Sequence, residues 1–130
     1  MPRLYPNKDV DPRALSPLAL AFVGDGVYGL MVREYLLCQA NRPAGVLHKL
    51  SVEMVRAEAQ ATALERLLPV LTDTEEGVYR RGRNAHTTRN SADYHQATGL
   101  ESLFGYLYLQ GEQERLRELF AIVVEATAPV

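Results

Sequence analysis

A single cysteine, Cys38, in 130 residues leaves no partner for an intramolecular disulfide and suits a reducing compartment. Cys38 itself reads as a small residue late in a helix, with nothing nearby to make it a nucleophile. No apolar run is long enough to span a membrane, because the longest, Leu18 to Leu37, is interrupted by Asp25, Arg33 and Glu34. The N-terminal MPRLYPNKDV has no apolar core of the secretory type, so a cytoplasmic protein without a membrane segment is expected. Excess charge is missing too. A net charge of −2 excludes a protein that coats nucleic acid by bulk charge, while leaving room for a local basic patch. The chain has no Gly-rich phosphate loop ending in Lys-Ser/Thr, no dinucleotide fingerprint and no Gly-x-Ser-x-Gly elbow. Its three histidines, His48, His86 and His95, share no helical spacing and form no His-Asp dipeptide, which argues against a histidine-based metal phosphohydrolase. No stretch alternates long enough to demand a strand, and no repeat or linker divides the chain. The expectation is one all-α domain over residues 1–130, with residues 1–10 a polar arm.

What is present is a series of helical periodicities. Leu18, Ala21, Phe22, Asp25, Tyr28, Gly29, Val32 and Leu36 recur at spacings of three and four, and Ser16-Pro17 supplies a cap and a first-turn proline where that stripe begins. A competing reading takes Asp25-Gly26 as a hairpin turn between the strands LALAFV and VYGLMV. The helix is favoured, to about Cys38, and because Leu20, Val23, Val27 and Leu30 are apolar as well it should be buried nearly all round. A short helical turn at Asp11-Pro12 precedes it. A second helix is predicted from Val46 to Leu68, ending at Pro69. Thr72 and Glu75 form a capping box for a third, to about Gly82 or Asn84. Asn84 to Asp93 reads as a loop. Helical spacing resumes at Tyr94 and stops at Gly111, and a last helix, Glu112 to Thr127, turns Leu116, Leu119, Phe120 and Val123 inward.

Two of these helices carry one acid each on an inward-looking face, Asp25 on the first and Glu101 on the fourth. If the faces meet, two carboxylates converge, and the natural remedy for their repulsion is a hard divalent cation such as Mg²⁺. Such an ion can activate water and offset charge on a phosphoryl group. An exposed turn aspartate and an ordinary helix glutamate account for the same two residues without chemistry. Gly24, Gly26 and Gly29, with Gly105 beside Glu101, each cost a helix about 1 kcal/mol, which a chain tolerates where helices or a ligand approach the backbone closely. Arg80, Arg81, Arg83 and Arg89 fall within ten acid-free residues that also hold Asn84 and His86. That window carries +4, so the rest of the chain carries −6 against the overall −2. Such a cluster suits phosphate binding, since guanidinium groups grip phosphate oxygens with paired bonds, and His48 and Lys49 extend the candidate surface. A solvated helix end paired with Glu75 and Glu76 is the alternative.

At these residues a family resemblance emerges. LAFVGDGVY, Leu20 to Tyr28, resembles the signature helix of the ribonuclease III catalytic domain, and YHQATGLESLFGYLYL, Tyr94 to Leu109, resembles its last catalytic helix. RRGRNA, Arg80 to Ala85, is similar to the compact bacterial branch called Mini-ribonuclease III. The resemblance implies a homodimeric helical endonuclease domain that cleaves double-stranded RNA, leaving 5′-phosphate and 3′-hydroxyl ends. It implies that Asp25 and Glu101 bind the catalytic Mg²⁺, with Mn²⁺ able to substitute. Two further acids of the larger enzymes fall at Ala21 and Thr98, so those carboxylates are absent here. With the chain stopping at Val130 and no double-stranded-RNA-binding domain expected, recognition falls to the catalytic domain. The task implied is maturation of large-subunit (23S) ribosomal RNA precursor ends in a bacterial cytoplasm. A ribonuclease III-like fold kept as a non-catalytic RNA-binding or ribosome-associated module is the alternative that the missing acids motivate.

Overall fold

The computed structural model describes residues 3–5, 9–85 and 91–127. Six α-helices follow one another, α1 Pro17–Gln39, α2 Ala44–Val55, α3 Ala57–Leu67, α4 Asp73–Arg83, α5 Ala92–Leu109 and α6 Gln113–Thr127, and no strand occurs among the described residues. Short 3₁₀ turns at Pro12–Ala14 and Leu68–Val70 precede α1 and α4. The fold is all-α, as expected.

The helix reading of the first long segment holds against the hairpin. Ser16 Oγ accepts from Ala19 N at 3.1 Å and Pro17 occupies the first turn, so the start of α1 is fixed by local chemistry. Its burial departs from expectation. Leu20, Tyr28, Val32 and Leu36 enter the core, whereas Phe22 is 82% exposed and Leu18, Leu30 and Leu37 also face outward. The helix enclosed on all sides is α5. Every residue from Ala97 to Leu107 is buried except Glu101, because α1, α3 and α4 all pack against this one helix.

The predicted second helix is two. It breaks at Arg56, whose extended backbone (ψ 157°) separates α2 from α3. A continuous helix would pair the Val55 carbonyl with Ala59 N. Here the Gln60 side chain satisfies it instead, Nε2 lying 2.8 Å from Val55 O. No proline or glycine marks the position, so the break is a tertiary effect that lets α3 turn onto α5 and α6.

The remaining boundaries follow their signals. The capping box at Thr72 and Glu75 is complete, Glu75 N donating to Thr72 Oγ1 at 3.2 Å and Thr72 N to Glu75 Oε1 at 2.9 Å. Glu75 is buried and meets Arg115 of α6 through both oxygens at 2.9 Å, pinning α4 to α6. Helix α5 begins at Ala92, two residues earlier than predicted, on a Ser91 cap. Gly111 ends it with φ 78°, a conformation that favours glycine. Most of the predicted 84–93 loop lies outside the described residues.

Candidate functional site

Helices α1 and α5 cross backbone against backbone, and Asp25 and Glu101 belong to that crossing. A Cβ on Gly24 would land on the carbonyl of Glu101 and lie 2.8 Å from Gly105 N; one on Gly105 would overlap the Leu20 carbonyl and lie 3.0 Å from Gly24 N. Glycine at both positions is therefore what lets the two main chains touch. The close approach expected at these glycines occurs here and not at the other two. A Cβ on Gly26 would meet nothing within 4 Å, and one on Gly29 only the side chain of Arg33 in its own helix. A second crossing of the same kind lies earlier on α5, where a Cβ on Gly82 of α4 would come 3.0 Å from Gly99 Cα. Glu101 sits at the first crossing, two residues along α5 from Gly99 at the second.

The carboxylates meet, with burial shared differently from what the apolar surroundings of Asp25 suggest. Asp25 is exposed and Glu101 is half-buried. The Glu101 carboxyl is raised to about 7, chiefly by burial, with a hydrogen bond from Gln60 opposing and the charge and side-chain contact of Asp25 adding to the rise. That contact unites two acids 76 positions apart in the chain. Gln60, 2% exposed, donates to Glu101 Oε2 at 3.0 Å. The Tyr28 hydroxyl, one turn beyond Asp25, is buried without a hydrogen-bond partner among the described residues. Burial first, and then the Glu101 charge, push its phenol above the ordinary range, so it stays neutral. The positions lacking acids lie where expected, one turn before each carboxylate. Ala21 and Thr98 are both buried, and the Thr98 hydroxyl donates to Tyr94 O at 3.0 Å within its own helix.

A divalent cation fits this pair. Two carboxylates in contact, one of them half-buried, repel each other when both are ionised, and a positive charge between them offsets that repulsion. No group of three or more His, Cys, Asp or Glu side chains comes together among the described residues. The donor set therefore suits a hard ion held by one or two carboxylates, its other positions left to water and a phosphate, and not an all-protein cage.

The arginine cluster is partly spoken for. Arg80 pairs with Glu76 at 2.6 Å across one helical turn, and Arg83 stacks over Tyr79 at 5.5 Å while donating to Asn84 Oδ1 at 3.2 Å. Glu75 does not share in it, being committed to Arg115. Arg81 has no hydrogen-bond or ion-pair partner among the described residues and lines a cavity of about 360 Å³ with Arg13, Thr74 and Tyr106. None of these arginines bonds to Asp25 or Glu101. The end of α4 that carries them meets α5 at Gly99, about 3 Å along the helix axis from Glu101. His48 and Lys49 are exposed on α2, where His48 borders a 280 Å³ cleft with Arg33 and Leu37, apart from the arginines. His86 and Arg89 lie outside the described residues. Gln60 is the member of the site that sequence reasoning missed. Its signal was a polar side chain one turn before Leu64 on the inward stripe of α3.

Residues 18–112 match the family model described as the ribonuclease III domain. A protein of Thermoanaerobacter sp. (strain X514) named Mini-ribonuclease 3 is 44% identical over 117 residues, 86% of this chain and 82% of that one. Its namesake in Synechocystis sp. (strain ATCC 27184 / PCC 6803 / Kazusa) is 48% identical over 115 residues, 85% of this chain and 79% of the other. A crystal structure of a protein from Fusobacterium nucleatum superposes with a TM-score of 0.80 at 30% identity, covering 88% of this chain and 96% of that one.

Proposed function

The chain belongs to the ribonuclease III family of double-stranded-RNA endonucleases, and from that premise we propose that Asp25 and Glu101 hold the catalytic Mg²⁺, exchangeable for Mn²⁺, for hydrolysis of duplex RNA to 5′-phosphate and 3′-hydroxyl ends. The observation that carries this reading is the direct contact of the two carboxylates beside the glycine crossing. When bound, the cation lowers the pKa of the attacking water and offsets negative charge on the phosphoryl oxygens. The protein's part is to fix the two carboxylates. Asp25, exposed, faces a substrate too wide to enter a pocket, and Glu101, half-buried, anchors the same ion from α5. Arg81, unpaired, with Arg80, Arg83, Asn84, His86 and Arg89, grips the phosphate backbone, and His48 and Lys49 contribute from α2. A-form RNA is selected by groove shape and 2′-hydroxyls more than by sequence.

The working unit is a homodimer, and the outward apolar row Leu18, Phe22, Leu30 and Leu37 on α1 is the surface that supports it. The resemblance to the Mini branch extends the proposal to the ends of 23S ribosomal RNA precursors in a bacterial cytoplasm. No helix among the described residues is long and apolar enough to cross a membrane.

Incubation of the purified chain with duplex RNA and Mg²⁺, with and without EDTA, tests the reading. Asp25→Asn and Glu101→Gln are each expected to lower cleavage by at least about a thousandfold while leaving folding and RNA binding intact. Full activity in either variant overturns the assignment. Binding without cleavage by the wild-type chain favours the non-catalytic module to which the absence of acids at Ala21 and Thr98 points.

A further inference from the structure

Gln60 makes two hydrogen bonds that a core glutamine has no need to make together. Its side chain is 2% exposed, and its Nε2 lies 2.8 Å from Val55 O, on the preceding helix, and 3.0 Å from Glu101 Oε2, on α5. Both neighbours are acceptors, so the amide must turn its NH₂ toward them, which commits both of its protons. The other end, Oε1, is buried without a partner among the described residues. An unpartnered buried carbonyl is costly, and capping Val55 O alone would require only one N–H. The orientation is thus the one that serves Glu101.

Resting on the metal reading above, we propose that Gln60 is a positioning residue for the cation site: it fixes the rotamer of Glu101 by engaging Oε2, and so determines which carboxylate oxygen is presented to an ion shared with Asp25. Its second bond, to Val55 O, ties that carboxylate to the break between α2 and α3. The site is then referenced to three elements, Asp25 on α1, Glu101 on α5 and the α2–α3 junction, while two acidic residues alone supply its charge. The break at Arg56 gains a purpose by the same geometry. It is what turns α3 so that a side chain from its first turn reaches both the end of α2 and the middle of α5. Carboxylates that bind metals are held by hydrogen bonds of this kind, and losing one weakens metal affinity by roughly 10- to 100-fold.

The test uses the full chain without RNA and Mn²⁺ as the probe, with free and bound ion counted by electron paramagnetic resonance and affinity measured by calorimetry. Gln60→Met keeps the volume and removes both donors. It is expected to bind Mn²⁺ about tenfold or more weakly than wild type at a temperature where circular dichroism shows it folded. Cleavage assays should then need more Mg²⁺ for half-maximal rate at an unchanged KM for RNA. A Gln60→Met chain that melts earlier yet binds Mn²⁺ within about twofold of wild type makes Gln60 a structural cap only, and overturns the proposal. Should Gln60→Met not fold, the wild-type chain decides. The Gln60 side-chain NH₂ resonances should shift along the Mg²⁺ saturation curve, and their standing still to saturation also overturns it. Wild-type Mn²⁺ binding that persists in the double variant Asp25→Asn, Glu101→Gln would instead sink the metal reading itself, which separates the two failures.

Discussion

Glu101 carries the site's pH dependence. Its carboxyl rises from an ordinary value of 4.5 to about 7, mainly through burial, with the Gln60 hydrogen bond opposing and Asp25 adding to the rise. A folded-state pKa above the unfolded one means that the metal-free fold binds this proton more tightly than the unfolded chain does. The associated stability is fully present below about 4.5 and is lost as pH climbs through about 7. In EDTA, the melting temperature is therefore expected to fall across that window, and Glu101→Gln should flatten the fall; a scan of thermal unfolding against pH measures both. A cation competes with the same proton, so the Mg²⁺ concentration for half-maximal cleavage should drop as pH rises toward and past 7. Asp25 is exposed, although the apolar sequence around it suggests burial.

At the scale of elements, the α1–α5 crossing dominates. Gly24→Ala or Gly105→Ala drives a methyl group into main chain that has no side-chain freedom to yield, and each should cost several kcal/mol or prevent folding. Gly26→Ala, with open space around its Cβ, should leave the chain folded, as urea denaturation of the three variants would show. The elements themselves were largely legible. Ser16-Pro17, Thr72 with Glu75, and Gly111 each act through local hydrogen bonds or a local φ, and those are properties a sequence displays. The break at Arg56 was not legible, because Val55, Arg56 and Ala57 all tolerate helix and the decision rests on contacts made by α3 elsewhere. Nor was the choice of buried helix. Both α1 and α5 are apolar around most of their circumference, and only packing reveals that α5 is the one surrounded.

The whole molecule presents an apolar row on one helix and an arginine-bearing end on another. On the proposed homodimer, Phe22→Asp is expected to leave a folded monomer at micromolar concentration and the wild-type chain to sediment as a dimer, which sedimentation equilibrium would register. Affinity for duplex RNA should weaken steeply with salt. With about four phosphates neutralised, the loss between about 50 and 200 mM is about a hundredfold. A flat salt response would remove the arginines from the interface. At this scale the pair Asp25 and Glu101 was foreseen, because one acid on each of two otherwise apolar faces is a pattern in the residues. Gln60 was not, since its importance arises only where three helices meet. Arg80, Arg81 and Arg83 share the end of α4, and the commitment of Arg80 to Glu76 and of Arg83 to Tyr79 is a matter of coordinates that no spacing displays.

The touching main chains at Gly24 and Gly105 leave no soft layer between fold and chemistry. Both acids ride on helices locked to each other at this crossing, so whatever separates those helices dismantles the proposed metal site in the same event. Heat inactivation and melting should then trace one curve, and evolution has little scope to trade durability for turnover at this spot.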